Sequence, residues 1–176
     1  TPVQIATGVS AVAAARGHSL YLKSNGTLWA MGQNDYSQLG DGTTVNRTNA
    51  VQIATGVSAM AAGGAHSVFI KTDGTLWGMG YNGNGQLGDG TTLQRNSPVR
   101  IATGVSGVAA GERHSLFVKT DGTLWGMGYN RYGQLGGGKF GNQASPLQLA
   151  LDISATAAGG EHTLVVRSDG TLWAVG

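Results

Sequence analysis

One interval, 48 residues, recurs through the whole sequence without insertion or deletion. The histidines and the tryptophans both keep it: His18, His66, His114 and His162, and Trp29, Trp77, Trp125 and Trp173. A period in the forties is typical of propeller blades and of some helical arrays. Because 31 of the 176 residues are glycine, long helices would be interrupted too often to form. The period therefore predicts an all-β chain, a β-propeller of four-stranded antiparallel blades.

The repeats divide the chain into equal units of one propeller. We place them at about 2–49, 50–97, 98–145 and 146–176, the last one truncated, within a single propeller unit that spans 1–176. No change of composition marks a second domain, and the length does not require one.

Each repeat is predicted to contain four strands. In the second repeat the first three begin near Val57, His66 and Thr75, and the fourth begins with the PVRIAT run at Pro98. The alanine-rich first strand is expected near the crowded axis, and a proline at the start of the fourth strand favours an outer edge.

An Asx-Gly pair separates the second strand from the third in every repeat. The pairs are Asn25-Gly26, Asp73-Gly74, Asp121-Gly122 and Asp169-Gly170. Such a pair between two apolar runs is a strong hairpin signal. It predicts a primed two-residue turn with positive φ at both central residues.

Three recurring motifs resemble those of the regulator-of-chromosome-condensation repeat family. They read G-x-x-H-[ST]-L, [ND]-G-T-L-W and N-x-x-G-Q-L-G, and together they cover the chain. The resemblance implies a β-propeller, usually of seven blades, whose natural role is to bind partner proteins. This chain departs from the family in its number of blades and in the near-identity of its copies.

The two ends of the chain are predicted to share one blade. Residues 1–7 match the fourth strand, and residues 171–176 match the third. Three arrangements fit: a homodimer that closes an eight-bladed ring, a piece of a longer chain, or a closed four-bladed monomer. We favour the homodimer because an open half-ring exposes apolar blade faces, whereas closing four blades alone demands a wide wedge angle.

Variation among the repeats is concentrated in two loops that should lie on one rim of the propeller. The loops precede each histidine and follow each third strand, and variable loops on a rigid scaffold often carry recognition. We predict partner contacts there, because tyrosine, arginine and acidic residues stand out among the glycines. Unconstrained drift of exposed loops is the alternative. The candidates are Arg16, Asp35, Tyr36, Glu112, Arg113, Arg131, Tyr132 and Glu161.

The histidines are expected to be structural, each bonded to a backbone group within its own blade, and the tryptophans to pack between blades. One histidine per blade does not assemble a metal site. Asp41 and Asp89 are interpreted as turn residues, and Gly137 replaces them in the third repeat. We therefore predict no catalytic residues, no metal and no cofactor.

A formal charge of +2 with scattered basic residues gives no surface for nucleic acid, and no apolar run is long enough for a membrane span. The predicted function is a non-catalytic protein-binding scaffold with an unidentified protein partner. The alternatives are a structural or designed assembly without a ligand, and the guanine-nucleotide exchange that the family's nuclear member performs. Low lysine content and the absence of cysteine would suit a bacterial extracellular protein.

Overall fold

Four antiparallel sheets follow one another along the chain. The computed structural model describes residues 1–136, 138 and 140–176, and within them lie fifteen strands and no helix, so none that could span a membrane. Blade 1 contains β1 (Val9–Ala14), β2 (His18–Lys23), β3 (Leu28–Gly32) and β4 (Arg47–Ala54). Blade 2 contains β5 (Val57–Ala62), β6 (His66–Lys71), β7 (Leu76–Gly80) and β8 (Arg95–Ala102). Blade 3 contains β9 (Val105–Ala110), β10 (His114–Lys119), β11 (Leu124–Gly128) and β12 (Gln143–Ala150), and blade 4 contains β13 (Ile153–Ala158), β14 (Thr163–Arg167) and β15 (Leu172–Val175).

The strands of each blade pair in chain order, as the sequence predicts for an up-and-down propeller. The first strands of successive blades contact one another: β1 with β5, β5 with β9, and β9 with β13. They therefore lie innermost. Small side chains suit this position because neighbouring sheets converge there.

The hairpin between the second and third strands is confirmed, but its turn differs from the prediction. Gly74 has φ of 76°, whereas Asp73 does not have a positive φ. The amide of Gly74 donates to the Lys71 carbonyl at 2.9 Å, and the amide of Lys71 donates to the Thr75 carbonyl at 2.9 Å. This is a type I turn followed by a left-handed glycine. Asp73 is required by another contact, since its Oδ1 accepts the Thr75 hydroxyl at 2.6 Å.

The fourth strands begin earlier than predicted, and one of them does not form. Pro98 lies inside β8, which starts at Arg95 and occupies the outer edge of its sheet. At that edge the missing N–H of proline removes no sheet hydrogen bond. Residues 1–7 are not in a strand, contrary to the prediction. Their expected neighbour is a third-type strand, and β15 lies at the opposite end of the row of blades.

The hydrophobic core is divided into layers, each shared by two blades. Between blades 1 and 2, Leu20 and Leu28 pack with Val57 and Phe69, and Trp77 covers the cluster. Equivalent clusters join blade 2 to blade 3 and blade 3 to blade 4. The predicted packing role is confirmed for Trp77 and Trp125, which lies against the second of these layers.

The two end blades each present an uncovered face. Leu172 is 65% exposed, whereas its counterparts in the first two blades, Leu28 and Leu76, are fully buried. Val12 in β1 is 77% exposed. The blades therefore form an open row, and the chain is not a closed four-bladed ring.

Candidate functional site

The variable loops of each blade lie side by side on one rim, as predicted. We call this rim the loop face: it comprises residues 15–17 and 33–46 and the described residues at the equivalent positions of the following blades. Backbone hydrogen bonds join the two loops of a blade. The amide of Gln33 donates to the Gly17 carbonyl at 2.7 Å, and that of Tyr81 to the Ala65 carbonyl at 2.9 Å. The loops therefore form one continuous surface.

A buried asparagine organises the long loop that follows each third strand. In blade 2, Asn82 Oδ1 accepts the Leu87 amide at 2.9 Å, and its Nδ2 donates to Asp89 Oδ1 at 3.0 Å. Asp89 also accepts hydrogen bonds from the side chains of Thr91 and Arg95. Burial raises the pKa of Asp89, but these hydrogen bonds outweigh it and hold the pKa below its usual range. These contacts confirm the turn role of Asp89.

The same arrangement recurs around Asn34 and Asp41 in blade 1. Gly137, the replacement in the third repeat, lies outside the described residues. Since hydrogen bonds within the loop hold this constant asparagine and aspartate, the exposed variable side chains are the better candidates to contact a partner.

A pocket of about 390 Å³ opens on the loop face above blade 2. Its floor is formed by Gly64 and Ala65, which precede β6. Side chains from three blades surround this floor. They are Arg16 and Tyr36 from blade 1, Tyr81 and Asn84 from blade 2, and Glu112 and Arg113 from blade 3.

All eight residues predicted as partner contacts are exposed on the loop face, but only four line this pocket. Arg16, Tyr36, Glu112 and Arg113 are the four. The others lie apart: Asp35 accepts a hydrogen bond from Gln33 Nε2 at 2.7 Å, and Tyr132 packs edge-on against Tyr129 at 5.9 Å. Arg131 and Glu161 project elsewhere on this rim.

Sequence reasoning missed Tyr81, Asn84 and Tyr129. The Tyr36 and Tyr81 rings meet edge to face at 5.3 Å, and the Arg113 guanidinium lies 5.9 Å from the Tyr129 ring. Variation among the repeats indicated the two tyrosines, since Tyr81 and Tyr129 occupy the position of Gln33 in the next two copies. It was missed because that residue directly follows the constant glycine that ends the third strand.

The histidines are structural, but their predicted partner is wrong. His66 Nε2 lies 2.8 Å from Ser115 Oγ in the next blade, and His18 Nε2 lies 2.9 Å from Ser67 Oγ. Each serine in turn donates to a backbone carbonyl, as Ser67 does to Gln38 at 2.7 Å. The serine hydroxyl therefore accepts from a protonated Nε2. The hydrogen bond crosses the blade interface because the imidazole projects from the end of its strand toward the next sheet.

Burial governs the chemistry of these imidazoles. It lowers the pKa of His66 to about 3 and those of His18 and His114 to about 4, so all three are neutral at pH 7. Their Nδ1 atoms have no hydrogen-bond partner. Among the described residues, no three His, Asp or Glu side chains converge to hold a metal ion. The arrangement supports packing and recognition.

Comparison with known proteins agrees with this architecture. Models of the regulator of chromosome condensation (RCC1) repeat match residues 25–70, 73–118 and 121–166, and a second model of the same repeat matches 9–38, 57–86 and 105–134. No curated protein matches the sequence.

Solved structures of natural proteins with the same fold are longer. Human WBSCR16 superposes with a TM-score of 0.84 at 26% identity, over 94% of this chain and 46% of its own. Prp20p from Saccharomyces cerevisiae superposes with a TM-score of 0.81 at 24% identity, over 94% of this chain and 44% of its own. The computationally designed Ika4 protein superposes with a TM-score of 0.55 at 13% identity, over 96% of this chain and 91% of its own. The chain thus spans less than half the length of its two natural neighbours.

The repeat models cover well over half of the chain, and the blades have the architecture of these propellers. The chain belongs to the regulator of chromosome condensation (RCC1) repeat family.

Proposed function

We propose that this chain is a protein-binding scaffold without catalytic activity, and that it recognises its partner through the loop face. The observation that carries this proposal is the pocket above blade 2, where variable side chains from three blades converge on a floor of two small residues. The loops are held by side chains that are constant among the repeats, such as Asn82, which forms hydrogen bonds with Leu87 and Asp89. A rigid frame with variable loops is the usual design of a recognition surface.

The structural neighbours support a protein as the class of partner. Prp20p was characterised for its binding to Gsp1p and histones, and yeast RCC1 (Prp20) was solved bound to Kap60. At 24% identity these similarities transfer the fold and not the partner. The identity of the partner therefore rests on this chain's own loop face.

Removing the two exposed tyrosines should abolish capture of the partner. We expect the Tyr36→Ala, Tyr132→Ala double variant to lose the proteins that the unchanged chain retains in a pull-down from its source organism, because aromatic side chains dominate binding energy at interfaces. Each tyrosine is about half exposed, so its removal should leave stability within about 0.5 kcal/mol.

Thr72→Ala with Thr120→Ala is the matched control, since both threonines are exposed on the opposite rim. This control should capture the same proteins as the unchanged chain. Equal capture by the tyrosine variant would contradict the use of the loop face.

We also propose that a second copy covers the open ends of the row of blades and completes an eight-bladed ring. The uncovered faces of blades 1 and 4 support this, since Val9 and Leu172 are exposed there, whereas their counterparts at the internal interfaces are buried. The apolar groove along β1, lined by Ile5, Val12 and Leu20, has a volume of about 260 Å³ and is suited to apolar side chains.

Light scattering at micromolar concentration should therefore give about twice the 17.9 kDa of one chain. Leu172→Glu places a charge on the uncovered face of blade 4 and should return the mass to that of one chain. Leu93→Glu is the control, because Leu93 is as exposed but lies in a loop. A single-chain mass for the unchanged protein would contradict the dimer.

A further inference from the structure

The pocket above blade 2 exists because one loop lacks the side chains that its neighbours carry. Blade 2 has Gly64 and Ala65 at the positions that Glu112 and Arg113 occupy in blade 3. A side chain at Gly64 would meet the Glu112 carbonyl oxygen at 2.6 Å. Gly64 therefore lies directly against the backbone of blade 3, and the larger side chains of the flanking blades border the cavity.

Two guanidinium groups border this cavity without a carboxylate partner. The ion pairs formed by the described residues are those of Arg47 and Arg95, and neither Arg16 nor Arg113 takes part in one. Arg16 belongs to blade 1 and Arg113 to blade 3, so the two reach the cavity from opposite sides. Guanidinium groups bind carboxylates through paired hydrogen bonds.

A third donor comes from Asn84. Its Oδ1 already accepts a hydrogen bond from Asn142 Nδ2 at 3.1 Å, which leaves its amide hydrogens to point elsewhere. Asn84 is half-buried and lines the cavity. The Tyr36 and Tyr81 rings form an apolar wall beside it. The cavity thus combines several donors with one aromatic surface.

Glu112 is the single acidic side chain that lines the cavity. It offers an acceptor to an N–H group, such as the backbone amide of a bound peptide. The balance of two positive groups against one negative group still favours an anion.

We propose that this pocket binds an aspartate or glutamate side chain of an extended segment in the protein partner. This inference rests on the proposed function and specifies the chemistry of its partner. The carboxylate lies between Arg16 and Arg113, and a flanking apolar residue of the segment packs against the Tyr36 ring. The charges that line the cavity select an acidic peptide over a basic or purely apolar one.

A library of short random peptides displayed on phage tests this preference. Panning against the unchanged chain should enrich peptides with Asp or Glu beside an apolar residue, and added salt should weaken their binding. Arg16→Gln and Arg113→Gln should each weaken the enriched peptides about tenfold, since each removes a charge-assisted hydrogen bond. Ala65→Trp should also weaken them, because its ring fills the cavity.

Arg100→Gln is the matched control, since Arg100 is an exposed arginine in the outer strand β8 and does not line the pocket. It should leave peptide affinity unchanged. Enrichment of basic or apolar peptides, no enrichment, or equal loss in the control would each overturn the inference. The two experiments distinguish the proposals: capture that is lost in the tyrosine variant while no acidic peptide is enriched overturns this inference alone, whereas equal capture by the tyrosine variant overturns the proposed function.

Discussion

The Gly80→Ala variant is expected to lose about 3–5 kcal/mol of its free energy of unfolding, measured by urea denaturation. Gly80 has φ of 104°, a conformation that costs other residues about 1–3 kcal/mol. An added Cβ would also lie 2.7 Å from the Ala65 carbonyl oxygen and 3.0 Å from Gln38 Cα in the preceding blade. These are backbone atoms and cannot rotate away, so overpacking adds a similar cost.

Two further glycines separate the backbone contribution from the steric one. Gly141 has φ of 105° but nothing within 4 Å of an added Cβ, so Gly141→Ala should cost only about 1–2 kcal/mol. Gly107 lies in β9 with ordinary φ, and an added Cβ would meet no close atom. The equivalent residues of blades 1 and 2 are Ala11 and Ala59. Gly107→Ala should be neutral. Equal losses in all three variants would contradict the role of the blade contact.

The free energy of unfolding is expected to fall steeply between pH 6.5 and pH 4. In the unfolded chain a histidine binds a proton near pH 6.5, whereas burial keeps His18, His66 and His114 neutral down to pH 4 or below. The unfolded state therefore holds more protons across this window, so stability is complete above pH 6.5 and is lost as the pH falls. Each histidine contributes about 1.4 kcal/mol per pH unit, and the three together about 4.

Urea denaturation at a series of pH values measures this slope. His66→Gln should reduce it by about a third, in addition to lowering stability at pH 7. A slope that survives in a variant lacking all three buried histidines would assign the effect to carboxylates, whose pKa values lie lower.

The repeat period alone was enough to predict the sheets and their order. Short apolar runs such as HSVFIK and the Asx-Gly pairs locate strands and hairpins, because strand pairing within a blade depends on residues close in sequence. The location of the variable loops on one rim follows from the same up-and-down order. These features are local, and each repeat restates them.

Contacts between blades could not be predicted in this way. The partner of His66 is a serine 49 residues later, and the pocket combines side chains from residue 16 to residue 113. Such pairs depend on the angle at which neighbouring sheets pack, which no single repeat specifies. The N-terminal segment illustrates the same point, since its PVQIAT run resembles β8 but has no strand to pair with.

The hydrogen bonds from His18, His66 and His114 to the serine or threonine of the following blade have a direction: at each interface one blade supplies the donor and the next supplies the acceptor. Because these head-to-tail contacts are the same at every blade interface, they do not determine how many blades follow one another. A repeat added by duplication of its gene segment would therefore carry the donor and the acceptor that its two neighbouring blades require. The number of blades in such a propeller can therefore change one repeat at a time. It is limited by closure of the ring and not by the contact between any two blades.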